Sequence, residues 1–111
     1  MLYKFKSKAC GDVIMLQPHG QQLLSIIGKH RPEDPGGAGI LLPEQMAQAL
    51  LDLDKAINAE DQARALALAQ AKADGMTLPR FEGLALRHRA LPLKKMIQRA
   101  LREDESIVWN V

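Results

Sequence analysis

The amino-acid sequence predicts an α+β fold: a small antiparallel three-stranded sheet, made of an N-terminal hairpin and a C-terminal strand, with three or four helices packed on one face. Three observations carry this reading. In the first sixteen residues Tyr3, Phe5 and Ser7 alternate with Lys4, Lys6 and Lys8, the period-two signature of a sheet with one wet face. The middle of the chain and the stretch before its end repeat apolar residues at the three-to-four spacing of helices. Ser106 to Asn110 alternates again, with Ile107 and Trp109 on one side.

The elements follow in order. Ala9-Cys10-Gly11-Asp12 is the expected hairpin turn, with Gly11 free to take a positive φ. A short helix is predicted from about Pro18 to Ile27, with Leu23, Leu24 and Ile27 inward and Gly28 as its stop. The segment Lys29 to Gly39 is rich in glycine and proline and reads as a surface loop. A second helix starts near Pro43, a residue suited to a first helical position. Met46, Leu50, Leu53 and Ile57 form its buried stripe, widened by Ala47 and Leu51. Asn58 then reads as the N-cap of a separate alanine-rich helix, 59–73, with little bulk to bury and an end that frays towards Gly75. In the last helix Leu93, Met96, Ile97, Ala100 and Leu101 point inward, Lys95, Arg99 and Arg102 outward, and Pro92 fits the first turn. Trp109 closes the core against Tyr3 or Phe5.

The 111 residues make one expected domain, with loops at about 29–42 and 74–83, and can bury a core without staples. A composition 47% hydrophobic and 25% charged is that of an ordinary globule. The single cysteine, Cys10, cannot form an internal disulfide. The N-terminus has no signal-peptide core, and no apolar run approaches the ~20 residues of a membrane span. A cytoplasmic location, no membrane and no cofactor are the expectations. The net charge of +2 is small, but its distribution is uneven: +2 over residues 1–43, −3 over 44–75 and +3 over 76–111. From Arg80 to Arg102 there are seven basic residues and one acid, Glu82, a candidate electrostatic footprint.

The segments YKFKSKA (3–9) and GDVIML (11–16), Gly39-Ile40 leading to Pro43-Glu44-Gln45-Met46, and LRHRALPL (86–93) followed by Ile107-Val108-Trp109 form a recognisable set. Together they resemble a family of short proteobacterial proteins defined as domain of unknown function 1840. The likeness spans nearly the whole chain and is weakest at 59–83. It implies a stand-alone bacterial cytoplasmic protein and lends no catalytic residues.

Few residues suggest chemistry. His19, His30 and His88 lie 11 and 58 residues apart, without the close ligand spacing of a zinc site. Cys10 follows Lys8, a cation of the kind that activates a thiol nucleophile, but has no adjacent base, so it reads as small-residue filler. Asp52 and Asp54 sit two apart and diverge on a helix, and with Glu60 and Asp61 they read as a solvated face. Gly36-Gly37-Ala38-Gly39 lacks the Lys and Ser/Thr of a phosphate loop.

One constellation rises above background: Arg87, His88, Arg89, Lys94, Lys95, Arg99 and Arg102, a candidate anion-binding face. The alternative for the same residues is a solvated helix face with snorkelling side chains. Placed at the helix ends, Lys94 and Lys95 at the start and Glu103, Asp104 and Glu105 at the finish oppose the helix dipole, at a few tenths of a kcal/mol each. Lys4, Lys6 and Lys8 belong to the far side of the molecule and do not extend this face. Four aromatic residues leave little surface for stacking on single-stranded bases. The sequence thus points to a non-enzymatic binding or interaction domain with a protein or nucleic acid as partner. Polyanion binding through Arg80–Arg102 is the alternative, and a concealed enzyme stands third.

Overall fold

The computed structural model describes residues 2–31, 33–34, 36–81 and 84–111. The chain runs β1 (Leu2–Ser7), β2 (Cys10–Leu16), α1 (Gln17–Ile26), β3 (Gly39–Leu41), α2 (Pro43–Ala73), α3 (Leu86–Glu103) and β4 (Ile107–Trp109). Met1 in the expected hairpin, Pro32 and Pro35 in the first expected loop, and Glu82 and Gly83 in the second lie outside the described residues. The sheet is antiparallel throughout, in the order β2-β1-β4-β3. The C-terminal strand lies beside the first, as the alternation suggests, with Phe5 opposite Trp109 and Ser7 opposite Ile107.

The sheet has four strands, not three. The addition is β3, the end of the Gly/Pro-rich segment, whose Ile40 and Leu41 pair with Val108 and Ile107. Three residues are too few for a period-two signal. The free edge of β4 makes them a strand, by offering backbone groups that would otherwise stay unpaired. The hairpin turn also differs from the expectation. It sits at Lys8-Ala9, closed by the Ala9 N–H donating to Ser7 Oγ at 3.2 Å, and Gly11 belongs to β2 without a positive φ. A register shift between Phe5 and Ser7 accommodates the turn without a left-handed residue.

The core lies between one sheet face and the helices. Tyr3 and Phe5 stack with ring centroids 6.2 Å apart, and Trp109 lies 5.8 Å from Phe5 at a 51° tilt. Leu23 and Leu24 of α1, Met46 and Leu53 of α2, and Leu93 and Ile97 of α3 close over them. Gly20 of α1 sits directly under Tyr3, where a Cβ would approach the ring at 2.4 Å. A helical glycine costs about 0.5–1 kcal/mol; here it lets α1 pack onto the tyrosine.

No break occurs at Asn58: α2 is one helix of 31 residues. A solvent-facing asparagine costs a helix less than ~1 kcal/mol, and the strong helix formers on either side carry the hydrogen bonding through it. The buried stripe is Met46, Ala49, Leu53 and Ile57, with Leu50 and Ala56 half-buried, while Ala47 and Leu51 face solvent. Beyond Ile57 no residue of α2 is buried. This part extends about 24 Å and helps give the molecule its 52 × 29 × 23 Å shape.

The start of α3 also departs from the expectation. The helix begins at Leu86, so Pro92 is in its interior rather than its first turn. An interior proline costs about 3 kcal/mol, and two tertiary features offset it. Leu86 and Ala90 are buried, and the Leu86 N–H donates to Glu60 Oε2 of α2 at 2.7 Å. A carboxylate from another helix therefore serves as the cap that Ala85 cannot supply.

Candidate functional site

The seven residues of the predicted anion-binding face fall into two groups. Arg87 pairs with Asp61, and Lys94 with Asp54, both across the α2–α3 seam. Arg89 turns back towards α1, its guanidinium donating to the Gln22 side chain and, at 3.0 Å, to the Leu84 carbonyl. These three join helices together. His88, Lys95, Arg99 and Arg102 are spaced i, i+7, i+11 and i+14, which places them on one line about 21 Å long, and all four are exposed. Arg99 reaches Glu103 at 3.5 Å in an exposed pair. His88, Lys95 and Arg102 have no side-chain partner among the described residues.

The expected conflict with the helix dipole stands at the C-terminal end, where Glu103 and Asp104 close α3, but its N-terminal half involves other residues. Lys94 and Lys95 are in mid-helix, so they do not oppose the N-terminal dipole. The residues in the first turn are Arg87, His88 and Arg89, with no acid among them. Glu60 and Asp61 of α2 supply that negative charge instead, through the Leu86 N–H and the Arg87 guanidinium. Glu60 also pairs with Arg64 at 3.0 Å, and the Arg64 guanidinium lies 4.7 Å from the centre of the Phe81 ring. The acidic middle of the sequence thus neutralises part of its basic end.

A second surface lies on the other side of the molecule. The register puts Leu2 opposite Leu16 and Lys4 opposite Ile14. It also puts Lys6 opposite Val108, and Val108 opposite Ile40. All seven side chains therefore share the sheet face that the helices leave open. Leu2, Ile14 and Leu16 are 55–58% exposed and Ile40 44%. Lys4 forms a 3.6 Å pair with Asp12 of the adjacent strand, and Lys6 has no partner among the described residues. Exposed apolar side chains on both sides of a lysine row are unusual for a face that meets only water.

The lysine alternation in β1 marks this face as wet and conceals its apolar content. The missed signal is in β2, where Val13-Ile14-Met15-Leu16 is apolar without alternation. A strand of that kind presents apolar residues to both faces. The three histidines, Cys10 and the carboxylates form no metal-binding group among the described residues, and no described helix is long and apolar enough to cross a membrane.

Residues 1–109 match the model of the family described as "Domain of unknown function (DUF1840)". The chain belongs to that family. No curated protein and no solved structure matches it.

Proposed function

We propose that this member of the family is a non-catalytic interaction domain that docks a partner protein on the open face of its sheet. The supporting observation is the exposed set Leu2, Ile14, Leu16 and Ile40 around Lys4 and Lys6, on a sheet whose other face carries the core. The charges select the partner. A second copy laid face to face would set one lysine row against the other, and the acids beside that row, Asp12 and Glu105, are fewer than its lysines, Lys4, Lys6 and Lys8. A partner carrying apolar side chains flanked by carboxylates satisfies both the apolar area and Lys6.

Site-specific photo-crosslinking tests this reading. A crosslinker at position 16 is expected to capture a partner segment rich in Asp, Glu and large aliphatic residues, and Ile14→Asp is expected to abolish the adduct without changing the melting curve. Adducts formed only from a crosslinker at position 99 would overturn it. Adducts between two copies, with a concentration-dependent dimer, would replace the partner with the chain itself.

A second reading rests on His88, Lys95 and Arg102, which have no internal partner among the described residues. This stripe binds polyanions such as duplex DNA or RNA through phosphates. Lys95→Gln with Arg102→Gln is then expected to weaken binding alike for different sequences. It is also expected to flatten the log–log salt dependence by about 0.7–0.9 for each phosphate left without its cation. Binding unchanged by the double substitution would exclude it.

A further inference from the structure

A cavity of about 140 Å³ lies where the segment after α1 crosses the end of the sheet. Its walls include Tyr3, Lys29, Arg31, Asp34, the backbone of Gly37 to Ile40, and Trp109. Two ties hold the crossing segment in place. The Gly36 N–H donates to the Tyr3 hydroxyl at 2.9 Å, and the Asn110 side-chain amide donates to the Gly36 carbonyl at 2.9 Å. Gly39 lies so close to the indole that a Cβ there would come within 2.3 Å of the ring. The cavity is therefore part of how the sheet end is built.

Its chemistry is one-sided. The Tyr3 hydroxyl accepts from Gly36, and its own proton has no acceptor among the described residues. The Trp109 indole N–H has none either; no fully buried side-chain nitrogen or oxygen lacks a partner among the described residues, so this N–H opens onto the cavity rather than being sealed beneath it. Lys29 and Arg31 line the same space and form no ion pair among the described residues. Two cations against Asp34 leave the walls with a charge of +1, and the unmatched hydrogen-bonding capacity consists of donors. Cations and N–H and O–H donors that converge on one cavity favour an anion. The volume is well below the roughly 300 Å³ at which drug-sized sites begin.

The geometry points to a binding site for a small oxyanion, a phosphoryl or carboxylate group, held by Lys29 and Arg31 with donation from the Trp109 indole and the Tyr3 hydroxyl. This site adjoins the sheet face proposed for docking at Ile40 and is separate from the α3 stripe; it does not rest on either reading.

Trp109 is the only tryptophan, so its indole N–H resonance reports on this cavity alone. Inorganic phosphate, methyl phosphate and acetate are titrated at constant ionic strength, with chloride as control. A saturable indole shift with phosphate or acetate is expected, and methyl phosphate shows whether the group can be the end of a larger molecule. Lys29→Gln with Arg31→Gln, at surface positions, is expected to weaken binding about tenfold or more with an unchanged melting curve. Lys95→Gln with Arg102→Gln is expected to titrate like the parent. No saturable shift by about 10 mM, beyond the millimolar affinity a few charged hydrogen bonds supply, would overturn the assignment. So would equal shifts with chloride, or binding unchanged in the Lys29/Arg31 variant.

Discussion

The two halves of α2 are continuous in backbone and opposite in what holds them. From Pro43 to Ile57 the helix buries Met46, Ala49, Leu53 and Ile57 against the core. From Asn58 to Ala73 it buries nothing fully, and Leu66 is 67% exposed. The first half is helical because an apolar stripe has a surface to cover, which supplies most helix stability in proteins. The second half depends on alanine propensity and on a few polar anchors: Glu60 with the Leu86 N–H and Arg64, Asp61 with Arg87, and Arg64 with Phe81. Helicity alone therefore says little about stability. The arm is helical yet carries little of the fold.

The largest effects belong to the packed half and the sheet beneath it. Trp109→Ala is expected to cost about 3–5 kcal/mol and Leu53→Ala about 2–5 kcal/mol, read from urea unfolding midpoints. If either variant unfolds with the parent, the burial described above is wrong. Gly20→Ala is a sharper test, because propensity and packing disagree in sign. Propensity alone favours alanine by about 1 kcal/mol, while the collision with Tyr3 predicts a net loss of about 1–3 kcal/mol. A more stable Gly20→Ala protein would mean that α1 can move off the tyrosine at no cost.

The anchors of the arm come next. Glu60→Ala removes the tertiary cap of α3 and is expected to cost about 1 kcal/mol, a modest figure because the Glu60 side chain is 25% exposed. The loss is expected to appear as faster amide exchange at both the start of α3 and residues 58–73. Protection lost in the arm alone would show that Pro92 does not need the cap. The smallest effect is expected at Leu66→Ala, within about 0.5 kcal/mol. A loss comparable to that of Leu53→Ala would reveal a neighbour for the arm, such as a second molecule, that the single chain does not show.

The candidate sites were legible to different degrees. The sequence identifies Lys95, Arg99 and Arg102 as one exposed stripe, because a period of 3.6 fixes which residues share a helix face. It does not separate them from Arg87, Arg89 and Lys94, whose partners Asp61, Gln22 and Asp54 are far away along the chain. The apolar open face is half legible. Unalternating β2 carries the signal, but only the register against β1 and β4 brings Leu2, Ile14, Leu16 and Ile40 together. The cavity beside Trp109 has no sequence signature, since Tyr3, Lys29, Arg31 and Trp109 belong to three distant segments.

By itself the sequence determined what depends on near neighbours. The hairpin, the helix begun at Pro43, the inward face of α3 and the burial of Trp109 all follow from spacing and side-chain chemistry over a few turns or strand pairs; the exception on α3 is Leu101, expected inward but 37% exposed, because it lies at the edge of the stripe beside Ala100. Tertiary structure decided the features in which a local preference is weak or opposed. Gly39–Leu41 is a strand because β4 offers a free edge. Leu86 starts α3, despite Pro92, because Glu60 of α2 caps it and its side chain is buried. In each case a preference of at most about 3 kcal/mol is overridden by contacts between residues far apart in the chain, which no local window of sequence contains.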